Sequence, residues 1–360
     1  MSNKIAVKKL KNGMILGEPI YGEDGQIMIQ KGIALDDHYI DYLENHEIES
    51  ILVFDKDYLS SLKESDKSKR AVEETRIEDP KTIEISDAVK EQIGQGVQYL
   101  FNNAESDSFV ETTMSITNEL TNAVIKNNAI AIDIAQLKTS DEYTFRHSVD
   151  VASLSMIIAK TYGLSDKEIE NIGIAGLLHD MGKSKIPLEI LNKPGRLNDK
   201  EFDIMKTHTT LGYRILENTN GFDVEIRKAV LMHHEKTNGK GYPLGVDNNK
   251  IPIFAKILSV ADVYDALVTE RPYKRGFLKK DAIEIIMSMS EELDLNVMHS
   301  FLSSIILYPV DSIVQLSNGE FARVVENYKD YPLRPKIVNI KTGEIYDLKN
   351  DFKCQSLVVL

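Results

Sequence analysis

Helical patterning with inward-facing histidines is the feature that most constrains this chain. Between residues 141 and 290, apolar residues recur at steps of three and four, which predicts a series of amphipathic helices. Five of the eight histidines fall here, at the inward edges of the apolar faces. A lone buried imidazole is usually a core residue that needs a hydrogen-bond partner, but a metal cluster would satisfy several at once. The candidate ligands are His147, His179, Asp180, His208, His233, His234 and Asp262.

Local signals place these residues on separate helices. Ser165 with Glu168 predicts a capping box, and the helix that follows leads to His179. Asn198 with Glu201 predicts the start of a further helix that carries His208. No strand pattern interrupts the region, so we expect an all-helical bundle in which each helix brings a ligand to the inward face.

The number and type of ligands predict a metal centre with two ions. Seven ligands exceed what one first-row ion takes, so we expect two divalent metals with a bridging carboxylate. Because Cys354 is the only cysteine, the donors are nitrogen and oxygen. Such donors suit Fe or Mn, with Zn, Co and Ni as alternatives. Two-metal sites generate a hydroxide nucleophile and stabilise the oxygens of an in-line phosphoryl displacement.

Composition narrows the choice of partners. The net charge of -13 argues against polymeric nucleic acid or an anionic membrane surface as the main partner. The single cysteine fits a reducing compartment, and the start, Met1-Ser2-Asn3-Lys4, lacks the apolar segment of a secretory signal. We therefore expect a cytoplasmic protein.

The chain is predicted to be mainly α, with five segments. Residues 1–60 read as a small α+β N-terminal domain, interpreted as regulatory and open to protein partners, and residues 61–85 as a charged linker. Residues 86–137 predict packing or connecting helices, with a homodimer helix as an alternative. Residues 138–307 form the helical bundle with the metal ligands, and residues 308–360 form a β-rich C-terminal appendage.

Three short stretches together resemble a known family. His179-Asp180-Met181-Gly182-Lys183 is followed by His233-His234-Glu235 and then by Gly241-Tyr242-Pro243. In this order and spacing, over about residues 141 to 280, they resemble the HD-GYP branch of the HD-domain phosphohydrolases. The resemblance implies a helical bundle with a bimetallic or trimetallic centre, often iron or manganese. It also implies hydrolysis of the bacterial second messenger cyclic di-GMP to pGpG, and often onward to GMP.

The resemblance also assigns roles to the candidate ligands. It implies that Asp180 bridges the two metals and is central to catalysis. One metal would be held by His147, His179 and Asp262. The other would be held by His208, His233 and His234.

Substrate contacts follow from the same resemblance. Lys183 matches a lysine that contacts the phosphate beside the metals and serves catalysis. The family has two further features that contact the substrate. One is a loop that lines the dinucleotide pocket, and the other is a basic pair that holds the phosphate of the substrate. The matching residues are Gly241, Tyr242 and Pro243 for the loop, and Arg271 and Lys274 for the basic pair.

One departure from the family limits the predicted chemistry. Members with a third metal carry a glutamate four residues before the first ligand histidine. This chain has Tyr143 there, and Glu142 stands one residue away, where it would face elsewhere on a helix. We therefore expect two metals, and the step from pGpG to GMP stays open.

The predicted mechanism is attack of a metal-bridging hydroxide on a phosphorus of cyclic di-GMP. The metals and Lys183 would stabilise the developing charge while Arg271 and Lys274 position the phosphates. Three alternatives stay open: a receptor that binds the dinucleotide without hydrolysis, a phosphohydrolase for another cyclic dinucleotide, and a purely structural helical scaffold.

Overall fold

The computed structural model describes most of the chain. The described residues are 2–11, 14–21, 27–29, 35, 37–46, 48–54, 63–82, 85–125, 132–133, 143–269 and 277–360. Their contacts divide the chain into two compact units. One is Met1–Asp79 together with Tyr308–Leu360, and the other is Pro80–Leu307.

Helices make up most of the described structure, and short strands lie mainly towards the two ends. The helices are α1 (Asp37–Asn45), α2 (Asp66–Thr75), α3 (Asp87–Asn102), α4 (Phe109–Ile125), α5 (Tyr143–Tyr162), α6 (Asp166–Leu178), α7 (Leu188–Leu191), α8 (Asp199–Lys206), α9 (His208–Asn218), α10 (Val224–Met232), α11 (Ile253–Val268), α12 (Lys279–Ser288) and α13 (Leu295–Ser303). The strands are β1 (Ser2–Ala6), β2 (Ile15–Leu16), β3 (Ile20–Tyr21), β4 (Ile27–Ile29), β5 (Ser50–Phe54), β6 (Ile132–Asp133), β7 (Ile305–Ile306), β8 (Ile313–Gln315), β9 (Phe321–Glu326), β10 (Lys336–Asn339) and β11 (Ile345–Asp347). The predicted mainly α class with small α+β and β-rich ends is confirmed.

Among its described residues, the smaller unit contains a three-stranded sheet, a four-stranded sheet and the two-stranded pairing of β3 with β4. At its N-terminal end β5 pairs antiparallel with β1 and with β2, over a core that includes Leu16, Leu43 and Val53. At its C-terminal end the strands run in the order β11-β10-β9-β8, all antiparallel, because the short turns between them return the chain directly. The predicted turn at 23–25 lies outside the described residues.

The predicted charged linker over 61–85 includes helix α2, and its bounds as a segment stay a prediction. The side chain of Ser65 caps α2 by accepting from the backbone of Ser68. Beyond the helix, Arg76 forms an ion pair with Asp311 at 2.7 Å, and the backbone N–H of Ile77 donates to Val325 at 2.8 Å. The stretch therefore contacts the C-terminal strands, while most of its charged side chains face solvent.

The larger unit is a helical bundle with a two-stranded β6–β7 pairing as its small exception. Helices α5 and α6 are almost fully buried along their facing sides. The predicted capping boxes are present at Ser165 with Glu168 and at Asn198 with Glu201. These caps fix where α6 and α8 begin, and so where the helices deliver their C-terminal residues.

One predicted helix is two helices in the structure. The helix expected to run from Asn198 through His208 ends at Lys206, and α9 begins at His208. The break lies at Thr207, whose backbone N–H and hydroxyl both donate to the carbonyl of Ile204, three residues back. That tighter closure ends α8 and places His208 at the start of a new helix. None of the described helices combines the length and apolar content needed to cross a bilayer.

Candidate metal centre

Three of the predicted ligands stand at helix ends and share one local geometry. In each, the ring Nδ1 donates to a backbone carbonyl three residues earlier in the chain. The acceptors are Gly176 for His179 at 2.6 Å, Met205 for His208 at 2.8 Å and Val230 for His233 at 2.8 Å. Because a carbonyl only accepts, the proton lies on Nδ1 and Nε2 keeps its lone pair. Each ring therefore presents a metal-binding nitrogen with its orientation already fixed.

His147 on α5 is held by a carboxylate instead. Its Nδ1 lies 2.6 Å from Oδ2 of Asp265, which also accepts from the hydroxyl of Thr269 at 3.1 Å. Asp265 is buried and stands one helical turn after Asp262 on α11. The sequence reasoning gave Asp265 no role, although a second aspartate on the same helical face as a predicted ligand could have indicated one.

The free nitrogens of these histidines converge on the predicted carboxylate ligands. Nε2 of His147 lies 3.3 Å from Nε2 of His179 and 3.2 Å from Oδ1 of Asp262. Nε2 of His208 lies 3.5 Å from Nε2 of His233. Residues from α5, α6, α9, α10 and α11 therefore meet at one place in the larger unit.

Asp180 lies between the two sets of histidines. Its Oδ1 is 3.4 Å from Nε2 of His208, and its Oδ2 is 3.5 Å from Nε2 of His179. Oδ2 also accepts from the ammonium of Lys183 at 2.5 Å. The two oxygens of one carboxylate thus face ligands from both predicted groups.

The donor set fits divalent metal ions. In each of three groups of side chains, the ligand atoms lie within 4.8 Å of one another. Donor atoms that bind one ion at about 2.0–2.2 Å lie about 3 Å apart, so a small adjustment of these side chains would allow each group to bind an ion. The donors are imidazole nitrogen and carboxylate oxygen, which suit first-row metals. The groups are His208 with His233 and His234, His147 with His179 and Asp262, and His179 with Asp180 and His233. These groups could hold metal ions; their number and identity stay predictions.

Burial keeps several of the imidazoles uncharged. It lowers the pKa of His233 well below its ordinary value, and neighbouring imidazoles lower it further. Burial also lowers the pKa of His208, and it brings the pKa of His234 down to about 4 despite the nearby carboxylate of Asp262. Neutral imidazole is the form that binds a metal, so these three rings are prepared as ligands near neutral pH.

The carboxylates and Lys183 stay charged at the same place. Burial alone would raise the pKa of Asp180, but Lys183 and the nearby histidines hold it well below its usual range. Burial would likewise raise the pKa of Asp262, which the hydrogen bond from His147 keeps below its usual range. Burial opposes the charge of Lys183, yet Asp180 raises its pKa.

His147 differs from the other rings. Burial lowers its pKa, but hydrogen bonds to Asp262 and Asp265 outweigh burial and hold it well above the ordinary value. As a metal ligand it must present an unprotonated Nε2, so metal binding at this residue would release a proton.

The predicted substrate loop packs directly on a predicted ligand. The ring of Tyr242 lies over His234 with 4.7 Å between ring centres, and its backbone N–H donates to the carbonyl of His234. A Cβ on Gly241 would lie 2.3 Å from the backbone nitrogen of Lys236, so only glycine allows this close return of the chain. The loop therefore forms one wall beside the candidate metal centre.

Glu235 fixes the far end of that loop, a role that the sequence reasoning did not assign. Its buried carboxylate accepts from the backbone N–H groups of Leu244 at 2.6 Å, Gly245 at 3.2 Å and Val246 at 3.3 Å. A glutamate directly after two ligand histidines was the available signal, but its partners could not be read from the sequence.

A second glycine permits the approach of α9 to the His-Asp turn. A Cβ on Gly182 would lie 1.9 Å from the carbonyl oxygen of His208 and 2.5 Å from the backbone nitrogen of Gly212. The 3-10 helix Met181–Lys185 therefore touches α9 backbone to backbone, which brings His208 next to Asp180.

Some predicted residues lie outside the described part of the chain. Arg271 and Lys274 fall in the segment 270–276, and Glu142 falls in 134–142. The backbone of Tyr143 is described as the start of α5, but its side chain is not. The assignments made for these residues stay predictions.

Comparison with known proteins places the site in a family context. Residues 126–297 match the family described as HD domain. A cyclic di-GMP phosphodiesterase of Pseudomonas aeruginosa is 34% identical over 66% of this chain and 58% of its own length. A cyclic di-GMP phosphodiesterase of Thermotoga maritima is 44% identical over 42% of each chain. A 3'3'-cGAMP-specific phosphodiesterase of Vibrio cholerae is 30% identical over 62% of this chain and 49% of its own.

A solved structure gives a broader likeness. An HDG"Y"P protein from Bdellovibrio bacteriovorus has 19% sequence identity and a TM-score of 0.48, and the match covers 84% of this chain and 98% of that protein. The chain spans about half of the length of the curated relatives that it matches.

The family match and the candidate site fall in the same part of the chain. Residues 126–297 match the HD-domain family, and this match spans every predicted metal ligand. Relatives named as cyclic di-GMP phosphodiesterases, together with the motifs at His179-Asp180 and Gly241-Tyr242-Pro243, support the resemblance to the HD-GYP branch.

Proposed function

We propose that this protein is a metal-dependent phosphodiesterase that hydrolyses cyclic di-GMP to pGpG. The observation that carries the proposal is the position of Asp180. One of its oxygens faces His208 and the other faces His179, so a single carboxylate stands between two groups of ligand side chains. In this position Asp180 would serve both ions of a two-metal site, which stabilises the attacking and leaving oxygens of a phosphodiester.

Two divalent ions, Fe or Mn with Zn, Co or Ni as alternatives, would be held by the two groups. The first comprises His147, His179 and Asp262, and the second comprises His208, His233 and His234. When bound, the ions supply Lewis-acid stabilisation of phosphoryl oxygens and an activated water nucleophile.

The protein's own groups orient and stabilise the substrate. Lys183 carries a positive charge at Asp180, where it can hold a non-bridging phosphate oxygen as negative charge develops. Tyr242, held between His234 and the Glu235-bound loop, offers its ring to a base. Arg271 and Lys274 are proposed to position the phosphates of the substrate.

The relatives support the substrate class. Two of those compared are named for cyclic di-GMP and one for 3'3'-cGAMP, which share two 3',5'-phosphodiester bonds and two purine bases. Hydrolysis of one bond of cyclic di-GMP yields linear pGpG. Onward cleavage to GMP is not expected as the main reaction, because the sequence has Tyr143 where a third-metal glutamate would stand.

The test is turnover by the full chain purified without oxygen and loaded with Mn or Fe. We expect conversion of cyclic di-GMP to pGpG, with metal content near two ions per chain. Binding of cyclic di-GMP without product would instead favour a receptor, and protein without any transition metal would favour a structural scaffold.

The cGAMP-specific relative supports a second candidate, a phosphodiesterase for another cyclic dinucleotide. A panel of cyclic di-GMP, 3'3'-cGAMP and cyclic di-AMP separates the two. We expect the highest kcat/KM with cyclic di-GMP, whereas a preference for 3'3'-cGAMP would replace it as the substrate.

We also propose that the N-terminal domain over 1–60 is regulatory and receives a protein partner, and that the catalytic domain spans 138–307. A homodimer through the helices at 86–137 is part of the same proposal. Size measurement of the full chain by light scattering tests the dimer, and a chain that stays monomeric at all concentrations would reject it.

A further inference from the structure

A polar cleft lies beside the candidate metal centre, in the larger unit. It is formed where the loop between α3 and α4 meets the 3-10 helix Met181–Lys185, and its volume is about 590 Å³. Pockets for small ligands usually measure about 300–1,000 Å³. Its lining includes Phe101, Asn102, Glu105, Ser106, Ser184 and Lys185. The residues assigned above to substrate binding are not in this lining.

The cleft is next to the proposed reaction centre along the chain and in space. Ser184 and Lys185 directly follow Lys183, whose ammonium contacts Asp180. Phe101 lines the cleft and is also near Asp180 and Lys183. The cleft therefore adjoins the residues that would hold the reacting phosphate, and a dinucleotide bound there could reach both places along the protein surface.

The lining offers the groups that a nucleotide needs. Lys185 comes from the 3-10 helix and Glu105 from the loop between α3 and α4, and the two form an ion pair at 2.9 Å with both side chains open to solvent. An ammonium can bind a phosphate, and a carboxylate can accept from the two N–H groups on the Watson–Crick edge of guanine. Phe101 adds an aromatic surface, and Asn102 adds an amide.

We propose that this cleft binds the nucleotide of cyclic di-GMP that is not at the metal centre, with Lys185 on its phosphate and Glu105 on its guanine. This inference rests on the proposed function and adds to it a subsite and a basis for base selection. Adenine presents one N–H₂ group and a ring acceptor on the same edge, so Glu105 disfavours adenine. When the nucleotide enters, the Lys185–Glu105 ion pair separates and each of the two side chains contacts the nucleotide instead.

The test compares a dinucleotide with a diester too small to span both places. Metal-loaded full chain is assayed with cyclic di-GMP, cyclic di-AMP and bis(p-nitrophenyl) phosphate. The measured quantity is kcat/KM for cyclic di-GMP divided by kcat/KM for the small diester. In Lys185→Ala and in Glu105→Gln we expect this ratio to fall about tenfold, because KM for cyclic di-GMP rises. Glu105→Gln should also reduce the preference for cyclic di-GMP over cyclic di-AMP.

Two controls separate ligand binding from a structural ion pair. Lys228→Ala removes a lysine of similar exposure that pairs with Glu225 on α10, and its ratio should match the wild type. The double exchange Lys185→Glu with Glu105→Lys restores the pair with reversed orientation. If the cleft binds the nucleotide, the exchange does not restore the ratio; a restored ratio shows a structural pair and rejects the subsite.

The outcomes also separate this inference from the proposed function. Wild-type protein that cleaves the small diester but no cyclic dinucleotide overturns the proposed function and the subsite with it. Wild-type protein that cleaves cyclic di-GMP, with ratios in both single variants within about twofold of the wild type, overturns the subsite alone.

Discussion

Nδ1 of His147 lies 2.6 Å from Oδ2 of Asp265, so a carboxylate outside the predicted ligand set orients a predicted ligand. Partners of this kind raise ligand basicity, and their loss usually costs about 10- to 100-fold in metal affinity. We expect Asp265→Asn to weaken metal binding by about that factor, measured by competition with a chelator. Asp203→Asn on α8, an exposed carboxylate, is the matched control and should leave metal affinity unchanged. Equal affinities in both variants would show that Asp265 does not support the site.

Asp180 and Lys183 should separate metal binding from turnover. Asp180→Ala removes the carboxylate that faces both ligand groups, so metal content and activity should be lost together. Lys183→Met removes a charge but no ligand, and we expect metal to stay while kcat falls about 100-fold or more. Elemental analysis with steady-state kinetics checks both. Full metal occupancy in Asp180→Ala would contradict the bridging role.

Gly182 should tolerate no side chain. The Cβ of Gly182→Ala would lie 1.9 Å from the carbonyl oxygen of His208, so α9 must move away. We expect a loss of about 3 kcal/mol in the free energy of unfolding, measured in urea. Gly94→Ala on α3 is the control, because its Cβ meets nothing within 4 Å and alanine favours a helix by about 1 kcal/mol. A Gly182→Ala protein as stable as the wild type would contradict the close approach.

Glu235 should act through the substrate loop. Glu235→Gln removes the charge that three backbone N–H groups share and leaves one amide oxygen to accept. We expect a stability loss of about 1–3 kcal/mol together with a higher KM for cyclic di-GMP. Glu225→Gln, an exposed position on α10, provides the comparison. A stability loss with unchanged KM would mean that the loop does not contact the substrate.

Acid should destabilise the metal-free protein through His234. The folded pKa is lowered to about 4 by burial, while an unfolded histidine titrates near about 6.5. Between these values the unfolded chain binds the extra proton, so stability falls as the pH decreases from about 6.5 to about 4. Over this pH interval, the free energy of unfolding of the wild type should fall by about 3 kcal/mol more than that of His234→Gln. Urea unfolding at a series of pH values measures the difference, and parallel curves would reject it.

Features encoded over a few residues could be predicted from the sequence. The capping boxes at Ser165 and Asn198 were predicted, because the two partners of each box lie within one helical turn. The proximity of His147 to Asp262 was expected from the family motif and from the inward helical faces. The break at Thr207 was missed because helical periodicity continues across it, and only the hydrogen bonds to Ile204 reveal it.

Features built from distant segments could not be predicted in this way. The packing of the 63–79 segment on the C-terminal strands includes the Arg76–Asp311 pair, whose members stand 235 residues apart. The cleft depends on Glu105 meeting Lys185 across 80 residues. Asp265 and Glu235 lie beside predicted residues, yet their partners depend on how helices and loops turn in three dimensions.

The positions of the helix-end histidines and the other predicted ligands along the chain also have a consequence for folding. Neighbouring ligands along the chain, from His147 to Asp262, are mostly 25 to 32 residues apart, so bound ions would close successive long loops as covalent cross-links do. Such closure couples folding to metal supply. In a cell short of the metal, the chains would open more often and be degraded sooner, so the amount of the protein would fall with the metal supply, independently of any signal that it receives.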